Sequence, residues 1–226
     1  MKPLLYIVSI RALDKPALYD RAHAIASKER RRKADAFVHM DDRKRALSAE
    51  LLLREALAEQ NIGIENLEYW YGTYGKPFLV NIPLEFSISH SGDYVILAVS
   101  SEPVGCDIER IGTCNLRTAR RCLTDHEYRI LMDTGDEAER AQLFFRYWVL
   151  KESYVKRAGE GFHIPMKSLE INFMDDSVMM RKNSVEQDCR FSESDRIPGY
   201  RIAVCSGSSD IAVKELRLTD LKYTAL

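Results

Sequence analysis

The stretch from Val104 to Arg110, which reads VGCDIER, constrains the fold most because it places two carboxylates in an otherwise buried strand. Apolar residues alternate with polar ones, so a period of two sends Asp107 and Glu109 to one face, about 7 Å apart. At an effective dielectric near 20, two carboxylates at that distance repel each other by about 2 kcal/mol. The pair therefore needs a cation, a shared proton or free access to water. An edge strand with its polar face in solvent is the plain alternative.

A second stretch, residues 144–156, reads FFRYWVLKESYVK and predicts a mostly apolar helix, because it contains no Gly or Pro. Glu152 and Lys156 interrupt the apolar surface at i, i+4, on one face of that helix. In one interpretation they form an intrahelical ion pair worth about 0.3 to 0.5 kcal/mol. In the other, Glu152 joins Asp107 and Glu109 in an all-oxygen site suited to Mg²⁺, and Lys156 meets a phosphate held by that metal.

Together the two stretches resemble the signature of the phosphopantetheinyl transferase superfamily, (V/I)G(V/I)D followed by a WxxKE(A/S)xxK helix. This chain has VGCD at 104–107 and WVLKESYVK at 148–156. Upstream, GKP at 75–77 and FSISHSG at 86–92 are similar to blocks of the two-domain, Sfp-like branch. Three ordered blocks at suitable spacing make a strong signal. The departures within the two signature stretches, Cys106 for an aliphatic residue and Val149 for a small polar one, do not fall on chemically active side chains.

The resemblance implies an α+β fold of two pseudo-symmetric α/β subdomains, each a small, mainly antiparallel sheet packed against a long helix. Residues 1–102 would form the coenzyme A-binding subdomain, and residues 103–226 would hold the metal site and dock the carrier protein. A faint internal duplication supports two copies, since LLREAL at 52–57 parallels VLKESY at 149–154. Such symmetry places the active site at the interface of the subdomains.

The activity implied by the resemblance is transfer of the 4′-phosphopantetheine moiety of coenzyme A to a serine of an apo acyl or peptidyl carrier protein, with release of 3′,5′-ADP. Asp107, Glu109 and Glu152 would hold Mg²⁺. Lys156 and His90 would neutralise charge on the leaving diphosphate. Glu152 is the best candidate base for the incoming serine, directly or through water.

The resemblance also implies a set of residues that bind coenzyme A: Arg30, Lys33, Arg45, Tyr74, Lys76, Ser89, His90 and Lys156. From the residues alone, simpler interpretations are open: the basic run at 28–33 as a solvated helix face, His90 as a structural histidine and Tyr74 as a buried aromatic. Ala46 stands where relatives often carry a hydroxyl residue, which leaves one phosphate contact without its usual donor.

A short predicted helix within residues 113–133 carries three arginines at i, i+3 and i+4, namely Arg117, Arg120 and Arg121. A solvated face is the default interpretation. The family resemblance instead implies docking of an acidic carrier protein, for which complementary charge would accelerate association.

The composition excludes some classes of partner. Lys and Arg number 33 against 34 Asp and Glu, so no overall field favours nucleic acid or a membrane. Five cysteines without a CxxC motif predict reduced thiols and a cytoplasmic protein. Residues 1–10 are typical of a first strand rather than a signal peptide, and no long apolar run predicts a membrane span. Because the Sfp-like branch fuses two units in one chain, we expect a monomer.

Two other functions stay open at this point. A Mg²⁺-dependent phosphohydrolase acting on a nucleotide-like pyrophosphate would use the same acids and lysine. A nucleic-acid-binding module would rest on the basic run at 28–33, although that run has no interleaved aromatic residues.

Overall fold

The computed structural model describes residues 2–63, 68–80 and 82–221. Its helices are α1 (Pro16–Ile25), α2 (Lys28–Ala36), α3 (Met40–Glu59), α4 (Leu116–Cys122), α5 (Asp125–Asp133) and α6 (Glu137–Ala158). Its strands are β1 (Leu4–Ser9), β2 (Tyr69–Tyr71), β3 (Pro77–Leu79), β4 (Glu85–Ser91), β5 (Tyr94–Ser100), β6 (Gly105–Arg110), β7 (Leu169–Phe173), β8 (Val178–Lys182), β9 (Val185–Glu186), β10 (Arg190–Ser194), β11 (Tyr200–Ser206) and β12 (Ala212–Leu216). The VGCDIER stretch forms β6 and the aromatic stretch lies within α6, as predicted.

The long helix α6 is delimited by local sequence. The Asp136 side chain accepts a hydrogen bond from the backbone N–H of Glu139, 2.8 Å away, and so caps the first turn. Acidic residues in that turn complement the positive end of the helix dipole. At the other end Gly159 takes a left-handed conformation with φ 73°, which terminates the helix.

The described residues form four sheets: two small ones, β2-β3 and β7-β8-β9, and two larger ones that lie between the long helices α3 and α6 in a four-layer arrangement. One sheet has the strand order β12-β1-β5-β4 and the other β10-β11-β6. Three apolar cores lie between the layers. Leu51 of α3 packs with Tyr6 and Leu97 of the first sheet, Ile7 packs with Ile108 between the sheets, and helix α6 packs on the second sheet through Leu150, Val155 and Ala203.

The predicted α+β class with small, mainly antiparallel sheets and long helices is confirmed. Strand β12 is the exception in direction, because it pairs with β1 in parallel. This pairing also returns the chain from the second sheet to the first. The division into subdomains 1–102 and 103–226 stays a prediction.

Serine side chains join the two sheets where the edge strands β4 and β6 meet. Ser87 Oγ accepts a hydrogen bond from the Cys106 N–H at 3.1 Å, and Ser91 Oγ accepts one from the Arg110 N–H at 3.0 Å. Ser89 lies between them in the same period-two row. Serine hydroxyl groups thus take the place of backbone-to-backbone hydrogen bonds between the two strands. We call the row of Ser87, Ser89 and Ser91 the serine seam; it fixes the register of β6 against β4.

Gly105 allows α6 to lie directly on β6. A Cβ atom at this position would lie 2.0 Å from the Ser153 carbonyl oxygen and 2.3 Å from the Arg157 nitrogen, both of them backbone atoms of α6. Neither atom can move aside without moving the helix. The glycine of the VGCD block is therefore required by packing.

None of the helices in the described ranges combines the length and apolar character needed to cross a membrane.

We expect Gly105→Ala to destabilise the fold by about 3 kcal/mol, because the obstruction is backbone, and to lower the melting temperature by roughly 6 to 12 °C. Gly112→Ala is the matched control, since a Cβ there meets nothing within 4 Å. Thermal unfolding followed by circular dichroism measures both variants. Equal melting temperatures for the two would contradict the packing argument.

Candidate active site

Lys156 of α6 reaches across the seam to the strands β4 and β6. Its Nζ lies 2.7 Å from Asp107 Oδ1 and 2.8 Å from Ser89 Oγ, and the Ser89 hydroxyl donates to the same Asp107 oxygen at 2.7 Å. Asp107 is only 3% exposed. The polar side of β6 is therefore not a solvated edge, and Lys156 pairs with Asp107 instead of forming the intrahelical ion pair with Glu152.

The charge of Lys156 is retained despite its surroundings. Burial acts to lower the pKa of its ammonium group, but the neighbouring groups, Asp107 first among them and Glu152 also, together raise it, and the net pKa is raised. A charged ammonium group thus lies between helix α6 and the acidic strand.

The two other predicted metal ligands lie beside this pair. Glu109 accepts a hydrogen bond from Ser91 Oγ at 2.8 Å, whereas Glu152 has no hydrogen-bond partner among the described residues. Burial raises the pKa of both glutamates, and the Asp107 charge raises both further. Glu109 adds to the raised pKa of Glu152. The three carboxylates therefore interact through space.

The three carboxylates are ligands of the kind that a hard divalent cation prefers, although they are not arranged around one common point. In the described part of the chain, no three His, Cys, Asp or Glu side chains converge into a metal-binding group. However, Asp107 Oδ2 is buried without a hydrogen-bond partner. An orphaned carboxylate oxygen beside two acids of raised pKa is a site where a cation would relieve both desolvation and mutual repulsion.

Two adjoining cavities open beside the acids. We call the larger one, of about 300 Å³, the main cleft; Glu152 and Lys156 line one side of it. The smaller one, of about 170 Å³, is lined by the cations Arg30 and Lys33 together with the acids Glu29 and Glu50; we call it the basic pocket after its cations. Both cavities share a wall formed by Gly75, Pro77, Phe86 and Ile88. A ligand with anionic groups at two points can span them.

Among the predicted coenzyme A residues, Tyr74, Lys76 and Lys156 line the main cleft, while Arg30 and Lys33 line the basic pocket. Arg30 is oriented by Glu50, a buried carboxylate 3.5 Å from Arg30 Nε. Sequence reasoning missed Glu50, because a single acid within a helix carries no pattern.

Arg45, His90 and Ser89 line neither cavity. Arg45 donates to the Gly92 carbonyl oxygen at 2.7 Å and to Asp42 at 2.6 Å. Partial desolvation, and then the positive charges of Arg45 and Lys156, lower the pKa of His90. His90 therefore lies within the field of both cations.

Tyr74 and Lys76, in the loop between β2 and β3, have surroundings that the sequence did not indicate. Tyr74 is 47% exposed, so the alternative of a buried aromatic is wrong. Lys76 is largely buried, which lowers the pKa of its ammonium group. Its Nζ lies 3.4 Å from the carbonyl oxygens of Val104 and Arg157, so it ties the loop to the end of α6.

Lys151, the first charged residue of the KE pair, is structural, and the sequence did not indicate this. Its Nζ donates to Glu127 at 2.6 Å, to the Cys122 carbonyl oxygen at 3.0 Å and to the Met166 carbonyl oxygen at 3.2 Å. Three acceptors saturate the ammonium group. The capping box of α5 at Thr124 and Glu127 is readable in the sequence, but its lysine partner is not.

The arginine stripe lies on α4, as predicted, and all three side chains are exposed. Arg120 pairs with Asp125 at 3.0 Å and lies over the Tyr128 ring. The side chains of Arg117 and Arg121 form no ion pair with another described residue. These two therefore carry most of the charge available to a partner.

Comparison with known proteins identifies the family of this chain. Residues 15–102 match the model of "4'-phosphopantetheinyl transferase, N-terminal", and residues 103–205 match that of the "4'-phosphopantetheinyl transferase superfamily". The 4'-phosphopantetheinyl transferase gsp of Aneurinibacillus migulanus is 34% identical over 88% of this chain and 83% of its own length. The ffp protein of Bacillus subtilis, another 4'-phosphopantetheinyl transferase, is 31% identical over 92% of each chain. The solved structure of Thermotoga maritima holo-[acyl-carrier-protein] synthase aligns over 46% of this chain and 61% of its own, with 19% identity and a TM-score of 0.38. On the evidence of the family models and of these relatives, the chain belongs to the 4'-phosphopantetheinyl transferase family.

Proposed function

We propose that this protein transfers the 4′-phosphopantetheine moiety of coenzyme A to a serine of an apo acyl or peptidyl carrier protein, in a Mg²⁺-dependent reaction that releases 3′,5′-ADP. The observation that carries the proposal is the charged Lys156 on Asp107, beside Glu152, at the edge of a cleft that continues into a basic pocket. Family membership supports the transferase class over a phosphohydrolase.

The reaction is a displacement at phosphorus. The carrier serine Oγ forms a bond to the phosphorus that bears the pantetheine arm, and the bond from that phosphorus to the bridging diphosphate oxygen breaks. The serine proton passes to a base, and the leaving 3′,5′-ADP takes the electron pair. A divalent cation held by Asp107, Glu109 and Glu152 would supply positive charge opposite the diphosphate.

The roles of the chain's own cations follow from where they lie. Lys156 is held by Asp107 and Ser89, so its ammonium group is already positioned before a diphosphate binds. His90 has a lowered pKa in the free protein and stays neutral near pH 7. An incoming diphosphate would raise that pKa, and His90 would then take up a proton and help neutralise the leaving group.

Glu152 is proposed as the base, directly or through water. It lines the cleft, its pKa is raised, and it makes no hydrogen bond with the described residues that would hold it elsewhere. A carboxylate that also binds the metal is a poorer base. Added metal can compensate for a weakened ligand but not for a missing base. The dependence of kcat on Mg²⁺ concentration therefore separates the two roles.

Coenzyme A would span the two cavities. In this arrangement Arg30 and Lys33 hold the phosphate on the ribose, and Lys76 and Lys156 face the diphosphate. Arg45 and Ser89 line neither cavity and act indirectly, Arg45 through its effect on His90 and Ser89 through its hydrogen bond to Asp107. Residues 1–102 would thus supply most coenzyme A contacts, and residues 103–226 the metal ligands and the docking surface.

The stripe of Arg117, Arg120 and Arg121 is proposed to dock the carrier protein. The exposed apolar side chains Leu116 on α4 and Ile130 on α5 accompany it. Basic groups around apolar ones suit an acidic helix with an apolar face. We further propose a cytoplasmic monomer, in keeping with the five free cysteines of the chain.

The first prediction is that apo carrier proteins incubated with this protein, coenzyme A and Mg²⁺ gain the mass of one phosphopantetheine unit in intact-protein mass spectrometry. Asp107→Ala or EDTA should abolish the gain, because Asp107 both orients Lys156 and offers an unpaired oxygen to the metal. Cleavage of coenzyme A without any gain on a carrier would favour the phosphohydrolase.

A second prediction concerns the base. Glu152→Gln should lower kcat by about a hundredfold or more, as is usual for loss of a general base. The loss should persist at saturating Mg²⁺, because added metal can restore a weakened ligand set but not a missing base. Glu139→Gln, at an exposed site on the same helix, is the control. Full recovery of kcat at high Mg²⁺ would mean that Glu152 serves as a ligand only.

A third prediction concerns docking. The double variant Arg117→Glu/Arg121→Glu should raise KM for an acidic carrier protein by about tenfold at low salt and less at 0.5 M salt, because exposed charges are screened. The KM for coenzyme A should not change. Arg120→Glu should have a smaller effect, since Asp125 already neutralises Arg120. An unchanged carrier KM in the double variant would exclude this surface.

A further inference from the structure

Two cysteines lie side by side where α6 packs on the sheet β10-β11-β6. Cys205 on β11 pairs in register with Phe191 on β10, and Cys189 comes two residues before Phe191. Side chains two positions apart point to the same face of a sheet, and all three residues belong to one apolar core. The Cys205 thiol donates a hydrogen bond to the Cys189 sulfur. The two sulfur atoms are therefore in contact, and both thiols are free.

Only one member of this pair borders a cavity. Cys189 is 3% exposed, but it lines a cavity of about 330 Å³ whose walls include the exposed side chains of Met174, Glu186 and Arg190. Cys205 is completely buried and does not line this cavity. A small oxidant from solvent therefore meets the Cys189 sulfur first.

The charges around the pair favour a thiolate at Cys189. The hydrogen bond from Cys205 is the main cause that lowers the pKa of Cys189; burial opposes it, and the positive charges of Arg157 and Arg190 lower the pKa further. Burial and the same hydrogen bond raise the pKa of Cys205. The Nε of Arg157 is buried without a hydrogen-bond partner among the described residues, so the guanidinium group has a donor left for an anion. A nucleophilic sulfur thus lies beside a second thiol, as in redox-sensing cysteine pairs.

The segment that ends in Cys189 is tied to the last turns of α6. The Tyr154 hydroxyl donates to Gln187 Oε1 at 2.7 Å, and Arg157 Nη2 donates to the Asp188 carbonyl oxygen at 3.3 Å. Both donors belong to α6 and both acceptors immediately precede Cys189. A movement of Cys189 therefore acts on the helix at two points.

A covalent bond between the sulfur atoms requires such a movement, because it is much shorter than a contact between free thiols. Cys205 is fixed within β11, whereas Cys189 lies just outside β10. Cys189 is consequently the residue that moves, and its movement strains both hydrogen bonds to α6. Lys156, which is bound to Asp107, lies between the two attachment points on the helix.

We propose that Cys189 and Cys205 form a redox switch, in which a hydroperoxide converts the two thiols into a disulfide and the new bond loosens the end of α6. The Cys189 sulfur first forms a bond to one peroxide oxygen, the O–O bond breaks, and the other oxygen leaves as water or an alcohol. The Cys205 sulfur then forms a bond to the Cys189 sulfur, and the oxygen on Cys189 leaves as water with the Cys205 proton. The thiols lose two electrons and the peroxide gains them. A dithiol reductant reverses the reaction by exchange.

Peroxide treatment of the whole protein tests whether the bond forms. Trypsin releases Cys189 in residues 183–190 and Cys205 in residues 202–214, so the disulfide would join two separate peptides. The reduced protein is exposed to hydrogen peroxide, its remaining thiols are blocked with N-ethylmaleimide, and mass spectrometry should then show these peptides linked. Dithiothreitol should separate them. Cys122→Ser is the matched control and should retain the link, although Cys122 is the least buried of the five cysteines.

Single variants of the pair identify the reactive sulfur. Cys205→Ser should lose the link but still form a sulfenic acid at Cys189, which dimedone traps. Cys189→Ser should give neither a link nor an adduct. A dimedone adduct on Cys205 in Cys189→Ser would contradict the assignment of Cys189 as the reactive thiol.

Hydrogen–deuterium exchange measures the effect on the helix without requiring turnover. In the oxidised protein the backbone amides of residues 154–158 should exchange faster than in the reduced protein, because both attachments of α6 are strained. Residues 47–53 of α3 are the control, since they pack on the other large sheet and should not change. Carrier modification adds a readout that rests on the proposed function: oxidation should lower kcat by about tenfold by displacing Lys156, and dithiothreitol should restore it.

The outcomes distinguish the two proposals. Absence of the link would overturn the switch, and so would a link that leaves exchange at the end of α6 unchanged. If the link and the faster exchange appear but the protein modifies no carrier in either redox state, the proposed function fails and the switch stands.

Discussion

The contact of Lys156 with Asp107 and Ser89 is the interaction on which the site depends, because it unites α6, β6 and β4 at one point. Asp107 is almost fully buried, whereas the Lys156 side chain is 29% exposed. Removing one partner of such a pair leaves an uncompensated charge and typically costs about 3 to 5 kcal/mol. The same contact can exist only because Gly105 lets α6 lie on β6. The packing of α6 on β6 therefore sets the positions of the proposed metal ligands. A change in this packing would displace those ligands as well.

The cations around the two cavities show how a protein of nearly zero net charge can form an anion site. Three of them are paired with an acid of the protein itself: Arg30 with Glu50, Lys76 with Glu85, and Lys156 with Asp107. Pairing keeps the cations from repelling each other while no anion is bound, and it fixes their direction. These paired acids cancel the positive charges in the net charge of the chain. The amino-acid composition therefore does not reveal the site.

The sequence predicted the elements well because periodicity and motifs act locally. The alternation in VGCDIER placed Asp107 and Glu109 on one strand, and the absence of breakers placed Glu152 and Lys156 on one helix. What the sequence could not show was which faces meet. The partner of Lys156 is Asp107 on strand β6, and not Glu152 one helical turn away. Likewise Lys151, beside Glu152 in the motif, points to Glu127 in a buried network, because adjacent helix positions face different neighbours.

The seam between the sheets is also the reason to regard the main cleft as preformed. Ser87 and Ser91 bond the backbone of β6 to β4, and β12, from the far end of the chain, pairs with β1 along five residue positions. The two halves cannot separate without breaking hydrogen bonds at both places, so the width of the cleft is a property of the fold. A ligand that spans the cavities contacts elements on both sides of this seam and binds only the folded chain. At a hundredfold excess over its Kd, such a ligand adds about 2.7 kcal/mol to the free energy of unfolding. Because hydrogen bonds of the seam already join β4 to β6, that stabilisation comes from contacts with side chains already in place.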